Sequence, residues 1–554
     1  MGLDLISRRL LTALPALVGL VIVTMWAAPT RLVAQAAEDV PLGDNAYVYL
    51  DALLARGAMQ SLSALERPYN LRQIVRALQT EMPANPSRAV QGYVKGLRRA
   101  LAKYDVQQLL SPTPRVGHKA LSYQVGGDAG GTFQTSSVRD LMRGDGTHGA
   151  FADVGVQGAF AVGPVTAVIH EVLDGQLNAD PEYHEPQLLR SDAVRTNEGY
   201  IDARWPIAEL FIGRELRNWG PTAMPGLLLG DYAYSYDHLY LEVGVPQLHW
   251  QFLTTRLNNE LSGDTTIQRY FAIHRFGAHL GRWEFGVEES VVYGGAGDSY
   301  DFHYVNPFNV YTFSQLNEEN GGVGANKNYA VEGAWRSPVG TFSAQVYLDD
   351  IQLGSGCNPE VLCKKPISGG WTVTAEGIPF VGDQRLFASY TLVSNLSYRT
   401  YEQPWTDYTS YGVGLGRGYS DYDEWKLGVD LAAVPEVPLK VYGAYSRQGQ
   451  GDYRIPFPVP DSFPVTPAFL SGIVQYVYRG AVSGAVSLNW LDVSGDVGVN
   501  HIVNYQHVEG AHHTSIAGRI QFSLVWARIF GGHIALPSSD PDGQPGLKRS
   551  RPPD

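Results

Sequence analysis

The stretch Arg269–Tyr311 reads RYFAIHRFGAHLGRWEFGVEESVVYGGAGDSYDFHYVNPFNVY, and its middle decides the fold. Trp283, Phe285, Val287, Val291 and Tyr293 fall on odd positions, whereas Arg282, Glu284, Gly286, Glu288 and Ser290 fall on even ones. A period of two puts each set on one face of a pleated strand, so this strand has an apolar side and a polar side. A tight connection is expected before it, at 277–281, and a long segment rich in Gly, Asp, Tyr and Asn follows it. Strand, short turn, strand and long loop, repeated around a closed sheet, is the pattern of an outer-membrane β-barrel.

The alternation recurs along the chain. Tyr329, Val331, Gly333 and Trp335 precede a turn at 337–340, and Phe342, Ala344, Val346 and Leu348 follow it. Trp425, Leu427, Val429 and Leu431 lead through 434–438 to Leu439, Val441, Gly443 and Tyr445. Val482, Val486, Leu488 and Trp490 repeat the theme after a further short turn expected near 479–481. Long segments near 172–199, 292–327, 349–369, 393–409 and 447–471 alternate with these short turns, as extracellular loops alternate with periplasmic ones. A soluble propeller would instead carry a blade repeat of about 40–50 residues, and the chain has none. Polar alternates such as Glu284, Glu332 and Lys426 imply a hydrated interior.

Composition agrees. Charged residues make up 18% of the 554, below the roughly 25% of soluble domains. The 32 tyrosines suit aromatic girdles and the 61 glycines suit bends and small inward positions. With 42 basic against 55 acidic residues the net charge is −13, and no basic concentration points to nucleic acid.

The predicted organisation has four parts. Residues 1–36 read as a signal peptide, with Arg8 and Arg9 before the apolar run Leu10–Ala28 and Ala34-Gln35-Ala36 as the cleavage site; a retained N-terminal membrane helix is the alternative. Residues 37–118 read as a small helical bundle on the periplasmic side. Tyr49, Leu50, Leu53 and Leu54 form its first apolar stripe, with Gly57 as the stop. Asn70 and Gln73 form a capping box before Leu71, Ile74, Val75 and Leu78. Asn85-Pro86 is the expected start of the third helix, with Val90, Tyr93, Val94, Leu97 and Leu101 as its stripe. Residues 119–530 read as a transmembrane antiparallel barrel of about 18 strands ending in Ile516–Phe530. Phe530 would serve as the terminal aromatic that outer-membrane proteins in general use for assembly. The Pro-, Gly- and Asp-rich residues 531–554 read as a disordered tail. Cys357 and Cys363, in GCNPEVLC, are expected to form a disulfide closing a small loop, since two Cys without a nearby His make an incomplete zinc site.

The motifs of metalloproteases, serine hydrolases and nucleotide-binding loops are missing, so no catalytic residue, metal or cofactor is expected. The alternation Gly412–Gly418 reads as small residues on one strand face. The best binding constellation is Asp298, Tyr300, Asp301, His303, Tyr304, Asn306 and Asn309. Carboxylates and amides hydrogen-bond sugar hydroxyls and aromatic faces stack on sugar rings. The alternative is a Tyr-rich loop whose polar groups are satisfied internally. His184-Glu185 is half of a metal site at most, and Asp349-Asp350 could hold sugar or Ca²⁺ or simply be solvated. Arg214, Arg217 and Trp219 are placed either in the lumen or against an acidic polymer, and the favoured reading is a structural arginine–carboxylate ladder with Glu284, Glu288 and Glu332 as partners.

The ordered set VPLGDNAYVYLDALLARGAM, RPYNLRQIVRAL, FIGRELRNWGP, HRFGAHLGRWEFGVEESVVYGG, YVNPFNVY and YLDDIQL resembles the capsule-assembly outer-membrane family named for Wzi, across most of the chain. The resemblance implies an outer-membrane barrel of about eighteen strands over a periplasmic helical bundle. It also implies a non-enzymatic surface lectin that holds capsular or exopolysaccharide, with outer-membrane lipids and the barrel-assembly machinery as its other partners. A porin or transporter is the competing reading, and an outer-membrane hydrolase using Asp298 and Asp301 is the third.

Overall fold

The computed structural model describes residues 37–104, 120–143, 147–186, 193–312, 325–349, 368–400, 403–457 and 469–535, with backbone alone at 120–121 and 526–535. Cys357, Cys363, Asp350 and residues 1–36 lie outside the described residues.

Eighteen strands form one closed antiparallel sheet. They are β1 Ala120–Gln134, β2 Gly149–Val162, β3 Val165–Asp174, β4 Ala193–Trp205, β5 Ala208–Glu215 and β6 Tyr236–Val245. There follow β7 Leu248–Arg256, β8 Thr265–Leu280, β9 Trp283–Ala296, β10 Ala325–Ser337, β11 Gly340–Leu348 and β12 Gly369–Pro379. The last six are β13 Arg385–Val393, β14 Tyr422–Val434, β15 Val437–Gln448, β16 Gln475–Ser487, β17 Leu491–Val503 and β18 His512–Ala535. Each pairs with its neighbours in sequence, and β1 closes the ring on β18 from Ala120↔Ala535 to Gln134↔Arg519. Closure leaves no open edge, which is what lets a sheet cross lipid with its backbone groups satisfied.

The strand faces sort as the period of two predicts. Val287, Val331, Val346, Val373, Leu427 and Val482 are exposed on the outer wall. Trp205, Trp283, Trp335 and Trp490 ring the short-turn end, and Trp371, Trp425 and Tyr478 ring the other. An apolar band between two aromatic girdles is the surface that a bilayer requires. The alternate residues Arg275, Glu284, Glu288, Glu332 and Gln345 point inward and are buried.

Several boundaries differ from expectation, each for a local reason. The turn expected at 277–281 is only Gly281-Arg282, because β8 runs on to Leu280. Gly277 is in the ladder opposite Gly286, where a Cβ would collide with the His249 ring and the Arg275 guanidinium; the glycine makes room for an inward side chain instead of a turn. The turn expected near 479–481 lies inside β16, where Arg479 reaches Asp496 at 2.5 Å and Asn500 at 2.9 Å; the reversal comes at 488–490. The run 412–418 is not a barrel strand. It holds one short pairing, Val413–Gly414 with Thr409–Ser410, inside a folded-in loop. β18 continues to Ala535, past Phe530.

The lead segment forms α1 Ala46–Leu54, α2 Leu71–Thr80 and α3 Arg88–Ala100. The capping box at Asn70 and Gln73 is present, and Gly57 (φ +78°) follows α1. The third helix starts at Ser87, whose hydroxyl accepts from Val90 N at 3.2 Å, and not at Asn85-Pro86. The helices bury Tyr49, Leu50, Leu53, Ile74, Tyr93 and Leu97 among themselves and fill the short-turn end of the barrel. Tyr93 Oη donates to Leu431 O at 3.2 Å and Tyr49 Oη to Glu436 O at 3.3 Å. Arg56 meets Asp430 at 3.0 Å, and Lys103 bridges Asp44 at 2.8 Å and Asp492 at 3.1 Å. At Gly92 the helix lies so close to the Pro435 turn that a Cβ would collide with its carbonyl.

Gly92→Ala is therefore expected to weaken docking of the helices by about 1–3 kcal/mol, the usual cost of overpacking, without disturbing the strands. Limited proteolysis should cut the variant faster within 71–104, while its heat-modifiable gel migration stays that of the parent. Unchanged proteolysis would show that the contact at Gly92 does not hold the plug.

Candidate functional site

The lumen is built around Arg275. Its guanidinium is 1% exposed, and its Nε donates to Glu332 Oε1 at 2.6 Å. Its Nη1 donates to Gln251 Oε1 at 3.0 Å and to Glu66, which the helical lead delivers between α1 and α2. Glu66 also contacts His249 Nε2 at 3.0 Å and accepts from Gln251 Nε2 at 2.8 Å. Burial alone would raise the Glu66 carboxyl, but Arg275 and then His249 more than offset it and hold it well below the usual carboxylate range. Beside it, Gln345 donates to Glu288 at 2.8 Å, and Arg336 pairs with Glu284, which also accepts from Ser63 Oγ at 2.6 Å. An arginine–carboxylate ladder thus runs through the lumen as expected, but Arg275 and Arg336 are its arginines. Arg217 pairs with Glu215 at 3.1 Å instead, and Arg214 with Asp237 at 2.9 Å.

From the long-loop end, two connections fold inward to meet this layer. In 216–235, Asn218–Trp219 pairs with Glu66–Arg67, and Leu227, Leu228 and Leu229 are fully buried. In 394–421, Leu415 O accepts from Gly230 N at 2.9 Å, Tyr398 Oη donates to Leu227 O at 2.8 Å, and Tyr408 Oη to Ser290 Oγ at 3.1 Å. Trp219, Phe271, Tyr347, Tyr398, Tyr408 and Tyr453 pack with these leucines into one core across the barrel. Among the described residues, helices below and loops above therefore occupy much of the lumen.

Above this core, five connections converge on an array of tyrosines, arginines and acids. The Arg139 guanidinium lies 4.6 Å from the Tyr232 ring centroid and 4.3 Å from that of Tyr234. Arg143 lies 3.5 Å from Tyr419, and Arg454 4.5 Å from Tyr453. Glu182 accepts from Tyr232 Oη at 2.7 Å, Tyr419 Oη at 3.3 Å and Arg454 Nη2 at 2.9 Å. Tyr232 and Tyr419 are partly exposed and Arg454 is exposed. Tyrosine faces for stacking, guanidiniums for carboxylates and an acid for hydroxyls make a surface chemically suited to an acidic saccharide. The sequence reading passed over this array because its members are scattered across the chain. The local signal was the repeated Tyr–Asp pattern in DYAYSYD, GYSDYD and GDYR.

No known family's sequence profile matches the chain, and no curated protein sequence matches it. Its fold, in contrast, is found among solved structures. One is Wzi of Escherichia coli, an outer-membrane protein involved in group 1 capsule assembly and a carbohydrate-binding β-barrel. It superposes with a TM-score of 0.56 at 12% identity, over 89% of this chain and 99% of Wzi. Two others are OccK2 of Pseudomonas aeruginosa (TM-score 0.38, 11% identity, 75% of this chain and 98% of that one) and OccAB4 of Acinetobacter baumannii (0.40, 8%, 76% and 100%). At these identities the likeness concerns the fold, which is that of an outer-membrane-type barrel.

The loop singled out by sequence does not stand at the barrel mouth. Residues 297–312 lie against the outer wall of β7–β9, on the same face as Phe285 and Val287. Tyr304 and Tyr311 pack on Val291 and Tyr293, and Trp250 Nε1 donates to Pro307 O at 2.7 Å. The Tyr304 ring, 3% exposed, is closed to stacking. Asp301 accepts from His303 N at 2.8 Å and contacts its ring at 2.9 Å, while Asn306 donates to Asn309 at 3.0 Å. Asp298, Tyr300 and His303 remain exposed. His184 contacts Tyr411 O at 3.1 Å while Glu185 turns to Arg195 at 3.2 Å, so the pair does not converge on one point. Asp349 is buried and accepts from Tyr398 N at 2.8 Å. Asp39, Asp202 and Glu209 bring carboxylate oxygens within 4.8 Å of one another, but Arg204, at 2.7–3.0 Å from all three, is the cation among them.

Two outcomes follow. Arg275→Ala leaves Glu66 and Glu332 buried without their cation and is expected to cost about 3–5 kcal/mol, measured as a lower unfolding midpoint in denaturant. Arg275→Met with Glu66→Gln and Glu332→Gln should recover most of it. Asp407, in the 394–421 loop, is pushed up to about 7 by burial, against the opposing bond from Thr400 N and the nearby Arg269 and Arg399. A carboxyl raised in the folded state stabilises the loop below its ordinary value of 3.8, and that contribution is lost as pH rises through about 7. Hydrogen exchange in 403–421 should therefore speed up progressively between about pH 4 and 7, beyond its intrinsic pH dependence, and Asp407→Asn should remove that excess.

Proposed function

We propose that this chain is a non-enzymatic, lectin-like outer-membrane barrel of the Wzi-like kind. In this reading the short-turn end with its helices faces the periplasm, and the long-loop end holds capsular or exopolysaccharide at the cell surface. The observation that carries it is the pairing of a lumen occupied by helices and loops with an array at the long-loop end in which Arg454 is exposed, Tyr232 and Tyr419 are partly exposed, and the buried Glu182 holds all three in place. A lumen so occupied leaves a porin less room for passage, which weighs against the transport reading. One sugar contact is weak, but a long polymer engages many barrels at once and avidity compensates. The exposed Asp298, Tyr300 and His303 of the wall-side loop are a secondary contact in the same proposal.

The test is retention of polymer by cells. Deleting the protein should release surface polysaccharide into the medium, and Tyr419→Ala with Arg454→Ala should release most of it at unchanged surface levels of the protein. Asp298→Ala with Tyr300→Ala should have a smaller effect. No release from the deletion strain would end the lectin reading. In planar bilayers the purified protein should show little steady conductance; large, lasting channels would favour a porin.

A further inference from the structure

A cavity of about 530 Å³ opens at the short-turn end between α2 and the strands from β4 to β9. The four carboxylates in its wall are all partnered. Glu66 is held by Arg275, His249 and Gln251, and Glu209 by Arg204 at 2.7 Å. Glu242 accepts from Tyr240 Oη at 2.7 Å, and Glu284 from Ser63 and from Ala64 N at 3.1 Å. Four of its arginines are partnered too: Arg67 by Asp51, Arg204 by Asp39, Arg217 by Glu215 and Arg275 by Glu332. Arg72 and Arg76 are different. Neither has a side-chain hydrogen bond or ion pair to another described residue, and the Arg72 Nε is buried without an acceptor.

Arg76 is exposed and Arg72 is partly buried, and their position disfavours the unpaired state in two ways. Arg72 is the second residue of α2, at the positive end of the helix dipole, where a cation is disfavoured. Arg76 follows one turn later, and like charges at i and i+4 repel. The helix LRQIVRALQT has no acidic residue to compensate. Burial also pushes the Arg72 guanidinium down from its ordinary value. A single anion between the two side chains relieves all of these penalties at once. The cavity is far larger than one carboxylate and falls within the ~300–1,000 Å³ range of small-molecule sites. Ser61 and His279 supply hydrogen-bonding groups in the wall, while Tyr69, Trp219 and Tyr240 are already packed behind it. Hydrogen-bonding groups beside two arginines fit the hydroxyls and the carboxylate of an acidic sugar.

We propose that this cavity binds an anionic saccharide and holds its carboxylate between Arg72 and Arg76. The site is separate from the tyrosine array at the opposite end. Two sources carry such a group on the periplasmic side: the uronic acid of an acidic polysaccharide, and the carboxylates of a peptidoglycan fragment.

The experiment is calorimetric titration of the full-length protein in detergent with trigalacturonate, with muramoyl dipeptide and with neutral tri-N-acetylglucosamine. Each is run on the parent, on Arg72→Gln/Arg76→Gln and on Tyr419→Ala/Arg454→Ala. At least one acidic probe should bind with a Kd below about 1 mM and the neutral one more weakly. The arginine double variant should lose about tenfold or more in that affinity, while the mouth double variant keeps it. Whichever acidic probe binds tighter identifies the source. Without probe, the Arg72→Gln/Arg76→Gln plug should resist proteolysis at least as well as the parent, because the variant removes a repulsion. A plug that loosens instead would assign the arginines a structural role and overturn the proposal. Failure of both acidic probes to bind, or undiminished binding to the arginine double variant, would also overturn it and would leave the polymer-retention result untouched.

Discussion

A barrel of eighteen strands encloses more space than its own inward side chains can fill, and the rest of this molecule answers that constraint. A wide barrel left alone is a water-filled channel. Here the space is taken by helices from one end and by the 216–235 and 394–421 connections from the other. Their contents differ because of where each part meets the wall. At mid-height the inward strand positions carry Arg275, Glu288, Glu332 and Gln345, so the lead must present Glu66 to them. Buried charges are tolerable only when paired and hydrogen-bonded, and this requirement fixes the plug in one rotational setting.

The filling also decouples the two ends. The wall, with its apolar band and aromatic rings, satisfies the bilayer whatever the ends do. The 297–312 loop illustrates how far a long connection can depart from the mouth. The outer faces of β8 and β9 carry His274 and Glu289, 3.2 Å apart, a pair unsuited to lipid. The loop covers it, and Glu289 accepts from Tyr311 N and Thr312 N at 2.9 Å each. Tyr304 and Tyr311 of this loop pack on the wall, while Asp298, Tyr300 and His303 stay exposed on its outside.

At the opposite rim, carboxylates hold the tyrosines in place. Glu182 orients Tyr232, Tyr419 and Arg454 together, and Asp180 orients Tyr234. Side chains fixed before a ligand arrives lose little freedom on binding, which suits weak contacts repeated along a polymer. The array exists only because 135–143, 175–186, 216–235, 403–421 and 449–457 are brought to one end by the strand order.

The sequence by itself determined the barrel. A period of two is local, so Trp283, Phe285 and Val287 declare an outward face whatever the neighbouring strands are. Alternating short and long connections set the two ends, and the Asn70–Gln73 box set the start of α2 for the same local reason. The tertiary structure alone decided which residues form a site. Gly277 and Arg479 looked like turn residues and are strand residues, because inward neighbours from other strands needed the space or the charge. That Asp301 caps a short helical turn and that the Tyr304 ring packs on Tyr293 and Tyr311 was likewise decided by the tertiary structure. Tyr232, Tyr419 and Arg454 carried no shared motif, since their meeting depends on contacts 35 to 272 residues apart in sequence, including Glu182 with Arg454 and Arg454 with Tyr419. Local periodicity is written within a few residues, whereas a site made of converging loops is written only in the closed ring that brings them together.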